Sequence, residues 1–126
     1  DLESGVVTLA RRDTRERITV DANCDIVKEV EKLLEDIQNN LYNKALERRD
    51  LLTFEAHNIE EIEKIMNTQP GFVKAMWCGD EACELKIKEI RGTKSRCILE
   101  NEKAIDDKCV VCGKKANHLV LWGLQY

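Results

Sequence analysis

Four cysteines carry the chemistry most legible in this chain. They stand as Cys78-Gly-Asp-Glu-Ala-Cys83 and Cys109-Val-Val-Cys112, two close pairs with 25 residues between them. Paired thiols at this spacing have the sequence form of a four-thiolate zinc site. Zinc takes tetrahedral sulfur coordination and has no redox chemistry of its own, so a closed site of this kind holds a small domain together. Gly113 follows the second pair. A glycine there accepts φ > 0 and lets the backbone curl so that N–H groups point at the thiolates. The same four residues also suit a disulfide pairing or four separate thiols.

The other candidate groups have plainer readings. Cys24 and Cys97 have no partner at metal spacing, and Cys97, on an apolar strand, is expected to be a buried structural thiol. His118 follows Cys112 by six residues, but four cysteines already complete the coordination. His57 reads as a surface residue at a helix start. Arg11, Arg12, Arg15 and Arg17 form a basic cluster, either a solvated hairpin edge or a contact for phosphates and bases. No phosphate-binding loop and no convergent nucleophile–base arrangement is visible, so no catalytic residue is expected.

The elements that would position these groups follow from pattern. Val6–Arg11 and Arg17–Val20 read as two strands around a turn at Arg12–Glu16. A long helix is expected next, capped by Asn23. Its apolar residues Ile26, Val30, Leu33, Leu34, Ile37, Leu41, Ala45 and Leu46 recur at three- and four-residue steps, which predicts one buried stripe. The stripe is broader than the strict heptad of a zipper dimer. A shorter helix spans about Ile59–Met66, starting at Asn58 or His57. After the break at Pro70-Gly71, Phe72–Trp77 is a strand leading into Cys78. Asp80 caps a helix running to about Ile90, with Cys83 in its first turn. Gly92 ends that helix, Ser95–Leu99 is a strand, Glu100–Lys108 a polar loop, and His118–Trp122 a last strand.

The fold class is therefore α+β: a short β-hairpin, long connecting helices, then a small α/β zinc-binding domain. The expected divisions are 1–22, 23–68 and 69–126. With 126 residues, 43% hydrophobic and 35% charged, the chain can bury a modest core. No apolar run reaches membrane-spanning length and no signal peptide is visible, so no membrane partner is expected. Paired cysteine spacing beside long helices fits a reducing, cytoplasmic setting better than a secreted disulfide framework. The net charge of −4 argues against nonspecific nucleic-acid binding, although residues 67–126 carry 10 bases against 8 acids. The chain begins at Asp1, and is expected to be part of something longer.

Three stretches make the pattern specific: Phe72–Cys83, Ser95–Ile98, and Cys109–Lys114 together with the terminal Tyr126. In this order they resemble the C-terminal zinc-binding domain of prolyl-tRNA synthetases of the archaeal/eukaryotic-like type. Gly5–Thr14 resembles the last strands of that family's anticodon-binding domain. The resemblance implies a class II aminoacyl-tRNA synthetase, which charges tRNA(Pro) with proline using ATP and Mg²⁺ and acts as a homodimer. The catalytic domain, with its ATP and Mg²⁺, would lie upstream, and this part alone would be inactive. It implies Cys78, Cys83, Cys109 and Cys112 as ligands of a structural zinc ion. It implies Arg11 and Arg12 as candidates for tRNA contact, and a Tyr126 carboxylate directed toward the catalytic domain. One departure is Arg15, where the family often has glycine. The alternative is a free-standing structural-zinc adaptor that binds a protein partner.

Overall fold

The computed structural model describes residues 4–125; Tyr126, assigned above to contact with a catalytic domain, lies outside them. Two compact units are formed, one up to Arg48 and one from Arg49 onward.

In the first unit, β1 (Val6–Ala10) pairs antiparallel with β2 (Arg17–Asp21), from Val6 opposite Asp21 to Ala10 opposite Arg17. Both strands are rich in β-branched residues, which suit a half-buried pleated surface. The turn between them is closed by a hydrogen bond of 2.8 Å from the Arg11 N–H to the Glu16 carbonyl. It places Arg15 at φ 65°, the left-handed region that a side chain makes costly.

The helix α1 (Ile26–Leu51) starts two residues later than a cap at Asn23 requires. Asp25 caps it instead: its carboxylate accepts the Lys28 N–H at 3.2 Å and its carbonyl accepts the Glu29 N–H at 3.1 Å. Asn23 is engaged elsewhere, its own N–H donating 2.8 Å to the Asp21 carboxylate. The predicted buried stripe is also corrected. Ile26, Val30, Leu33, Ile37 and Leu46 are half-buried, no described α1 residue is fully buried, and Leu34 and Leu41 remain 59% and 52% exposed. A two-stranded ribbon is too narrow to cover a broad helical stripe.

The second unit is a four-stranded sheet in the order β3-β4-β6-β5. Its strands are β3 (Thr53–Ala56), β4 (Phe72–Trp77), β5 (Thr93–Ile98) and β6 (His118–Leu124). β3 and β4 are parallel and joined by α2 (Ile59–Thr68); the other pairings are antiparallel. α3 (Glu81–Glu89) links β4 to β5. Asn58 caps α2, its side-chain oxygen accepting the Glu61 N–H at 2.9 Å. His57 is exposed at this start, and its backbone N–H donates 2.7 Å to the Glu61 carboxylate.

Period-two alternation builds the core. Val73 faces Trp122 and Ala75 faces Val120 across β4 and β6, and all four are buried. Ile62 and Met66 of α2 and Ile87 of α3 cover that face, joined by Ala56 and Val110. The sheet thus draws residues from both sides of position 69. β5 carries an irregularity: Ser95 lies opposite Trp122, but Cys97 lies opposite Leu121. The bulge at Arg96 shifts facing by one residue, and Cys97 ends exposed on an edge strand. The expectation of a buried Cys97 is overturned by that bulge. Among the described residues, no helix is long and apolar enough to cross a membrane.

Candidate metal centre

The four predicted cysteines arrive from three elements. Cys78 directly follows β4, Cys83 lies in the first turn of α3, and Cys109 and Cys112 lie in the loop before β6. Each position has a local cause. β4 ends at Trp77, whose indole N–H donates 3.1 Å to the Asp80 carbonyl and so ties the strand end to the helix start. Asp80 caps α3 by accepting the Ala82 N–H at 2.9 Å, and its carbonyl accepts the Cys83 N–H at 3.1 Å. Cys83 therefore sits where the helix end carries partial positive charge.

The second knuckle is a tight turn. The Gly113 N–H reaches the Cys109 carbonyl at 2.9 Å, and the Cys109 N–H reaches the Lys114 carbonyl at 2.8 Å. Gly113 takes φ 68° to do this, and Gly79, after Cys78, takes φ 92°. Both are conformations that a Cβ disfavours, which gives the two glycines beside the sulfurs a backbone reason. The Val110 N–H bonds the Met76 carbonyl at 3.1 Å, fastening the knuckle to β4. Met76, Leu119 and Ala116 pack beside Cys83 and Cys109 in a second apolar cluster.

The result is one cluster: all four sulfurs lie within 4.8 Å of one another. Cys78 Sγ is 3.7 Å from Cys83 Sγ and 3.8 Å from Cys112 Sγ. A tetrahedron with metal–sulfur bonds of about 2.3 Å has edges of about 3.8 Å. A disulfide needs about 2.05 Å, and all six cysteines are free. The four cysteines are thus positioned to bind a metal ion, and the disulfide reading falls away.

The electrostatics agree. Burial pushes the Cys83 thiol well above its ordinary range, and the neighbouring thiols add to it. Burial likewise raises Cys78, against an opposing backbone N–H from Asp80. Burial acts on Cys109 too, but the backbone N–H groups of Cys112, Val111 and Cys78 outweigh it, and its pKa falls to about 7. Four thiolates cannot share so small a space without a cation between them, and a divalent ion supplies that charge.

His118 is not part of this cluster; its ring lies 6.0 Å from that of Trp77, tilted by 46°. Cys24 is half-buried ahead of α1, and Cys97 is exposed on β5. Of the two arginines singled out for RNA, Arg11 is engaged by its own turn: Nε and Nη2 donate to the Asp13 carboxylate at 3.1 and 2.9 Å. Arg12 is exposed.

Sequence reasoning missed two features. One is the strand β3, with the parallel pairing it makes. The other is a groove of about 390 Å³ on the sheet face that α2 and α3 leave open, lined in part by Phe72, Leu99 and Leu121. Lys74 on that face is paired with Glu102. The alternation of Phe72 and Lys74 with buried Val73 and Ala75 was the available signal for this second face.

The family model described as prolyl-tRNA synthetase, C-terminal, matches residues 59–126. A proline–tRNA ligase of Clostridium novyi (strain NT) is 45% identical over the whole chain, which covers 26% of that protein. Proline–tRNA ligases of Clostridium botulinum (strain Okra / Type B1) and Lachnoclostridium phytofermentans are each 44% identical, again over the whole chain and 26% of their own length. The chain spans about a quarter of the length of the curated relatives it matches.

Proposed function

The chain belongs to the prolyl-tRNA synthetase C-terminal family, and from that premise we propose that it is the carboxy-terminal part of a proline–tRNA ligase, held in shape by one zinc ion. The observation that carries the metal half of this reading is the sulfur cluster, whose 3.7 and 3.8 Å edges fit zinc–thiolate bonds. Cys78, Cys83, Cys109 and Cys112 are the four ligands. Four sulfurs leave no open coordination position for a substrate water, so the ion is structural and supplies folding energy.

The activity proposed for the whole protein is ATP-dependent attachment of proline to tRNA(Pro) by a class II enzyme, acting as a homodimer in the cytoplasm. ATP and Mg²⁺ belong to a catalytic domain outside these 126 residues. The proposed divisions are the end of an anticodon-binding domain over 1–22, connecting helices over 23–68, and the zinc domain over 69–126. Arg11 and Arg12 are the proposed tRNA contacts, and they differ in readiness. Arg12 is exposed, whereas Arg11 must first exchange its bidentate bond to Asp13. Tyr126 is proposed to direct its carboxylate toward the catalytic domain. A free-standing adaptor has no observation in its favour, since the curated relatives are ligases about four times as long as this chain.

The test is aminoacylation. The full-length gene product is expected to charge tRNA(Pro) with proline in the presence of ATP and Mg²⁺. The 126-residue chain is expected to show no proline-dependent exchange between ATP and pyrophosphate. A full-length product that charges no tRNA(Pro) would overturn the reading. A second measurement addresses Arg12: Arg12→Ala should weaken salt-dependent tRNA binding, while unchanged binding would remove it from the interface.

A further inference from the structure

The four sulfurs are not equivalent. Cys109 and Cys83 are only 3% and 5% exposed, Cys78 is half-buried, and Cys112 is exposed. Their backbone settings differ as well. Cys83 is built into α3, and Cys109 is held by hydrogen bonds at both its N–H and its carbonyl. Cys78 and Cys112 are each followed by a glycine at positive φ, Gly79 and Gly113, in loop rather than in helix or strand. Their sulfurs lie 3.8 Å apart, although 34 residues separate them in sequence.

We propose that Cys112 is an oxidation site, at which a peroxide converts the metal cluster into a Cys78–Cys112 disulfide and releases the ion. The oxidant is hydrogen peroxide. The Cys112 thiolate attacks one peroxide oxygen, the O–O bond breaks, and the departing hydroxide takes a proton and leaves as water. Cys112 then carries a sulfenic acid. The Cys78 thiolate attacks that sulfur, the S–O bond breaks, and a second hydroxide leaves as water after taking a proton. Two thiolates have lost one electron each and peroxide has gained both. The ion keeps its oxidation state but is left with two sulfurs, too few to retain it.

Two features single out this pair. Of the four cluster cysteines Cys112 alone is an exposed residue, and reactivity toward peroxide follows exposure as well as thiolate character. Closing a gap of 3.8 Å to a bond of about 2.05 Å needs the two residues to shift. Both Cys78 and Cys112 lie outside helix and strand, whereas Cys83 is fixed in α3. Release of the metal rests on the zinc reading given above; the order of disulfide formation does not.

The experiment treats the metal-loaded chain with hydrogen peroxide. Released metal is followed with a chromogenic chelator, and disulfides are mapped by mass spectrometry after alkylation at early times. The Cys78–Cys112 bridge is expected first, with one ion released per bridge. Reduction with a dithiol plus added zinc is expected to reverse both. Cys97→Ser, which removes an exposed thiol outside the cluster, is expected to leave release unchanged. A first bridge containing Cys83 or Cys109, or metal loss while Cys112 is still alkylated as a free thiol, would overturn the inference. A chain that carries no metal yet forms the Cys78–Cys112 bridge first would overturn the zinc reading and sustain the order of oxidation.

Discussion

Arg11 clasps Asp13 across one residue with two hydrogen bonds, and Asp13 in turn accepts the side-chain N–H of Asn40 on α1 at 2.6 Å. One carboxylate therefore joins the hairpin turn to the helix beside it. The Arg11 fork and the Asn40 donor hold that carboxyl well below the usual carboxylate range. A lowered folded-state pKa contributes stability above the unfolded value near 4 and loses it as pH falls further. Between pH 5 and pH 3, unfolding of the Asp13→Asn variant should depend less on pH than unfolding of the parent. Parallel pH profiles in chemical denaturation would contradict this role.

The turn itself holds a second prediction. Arg15 sits at φ 65°, where an L-residue pays about 1–2 kcal/mol. Glycine removes that strain but adds about 0.5–1 kcal/mol of unfolded-chain entropy. Arg15→Gly should therefore stabilise the hairpin by about 0.5–1 kcal/mol, read as a rise in the denaturation midpoint. A fall would show that the Arg15 side chain makes a compensating contact.

Much of the second unit was legible because its residues obey local rules. Phe72–Trp77 has β-rich composition, Asp80 is a strong cap, and cysteine pairs beside glycines have few other uses. The elements that were missed depend on partners distant in sequence. Thr53–Ala56 becomes a strand only by lying parallel to β4. Cys97 turns outward because of a bulge one residue earlier, which the apolar Ile98 and Leu99 after it do not announce. The α1 stripe was correctly periodic, yet periodicity records which face is apolar and not how much surface is available to cover it.

The core gives a third prediction. Ile62 is fully buried and bridges α2 to Val73, Ala75 and Trp122 of the sheet. Ile62→Ala should cost about 2–5 kcal/mol, the usual range for truncating a packed aliphatic side chain. A loss under about 1 kcal/mol in denaturant titration would mean that α2 is not anchored on the sheet as described.

Asp80 gives a fourth. It stands three residues before Cys83, and its carboxylate caps α3 by accepting the Ala82 N–H. Asp80→Ala should cost about 1 kcal/mol in stability, and it should weaken metal retention because Cys83 depends on that first turn. Competition with a chelator of known affinity measures the second effect. Metal affinity equal to the parent's would separate the cap from the metal centre.

The central claim is that one zinc ion, held by Cys78, Cys83, Cys109 and Cys112, folds the unit from Arg49 onward. Structural zinc in small peptides contributes on the order of 10–16 kcal/mol of apparent binding energy, comparable to the whole of a typical domain's stability of roughly 5–15 kcal/mol. The direct measurement is elemental analysis of the purified chain, combined with circular dichroism during titration with a strong chelator. The account predicts one zinc per chain and loss of the folded signal of this unit as the ion is withdrawn. A chain free of metal that keeps its full folded signal would contradict it.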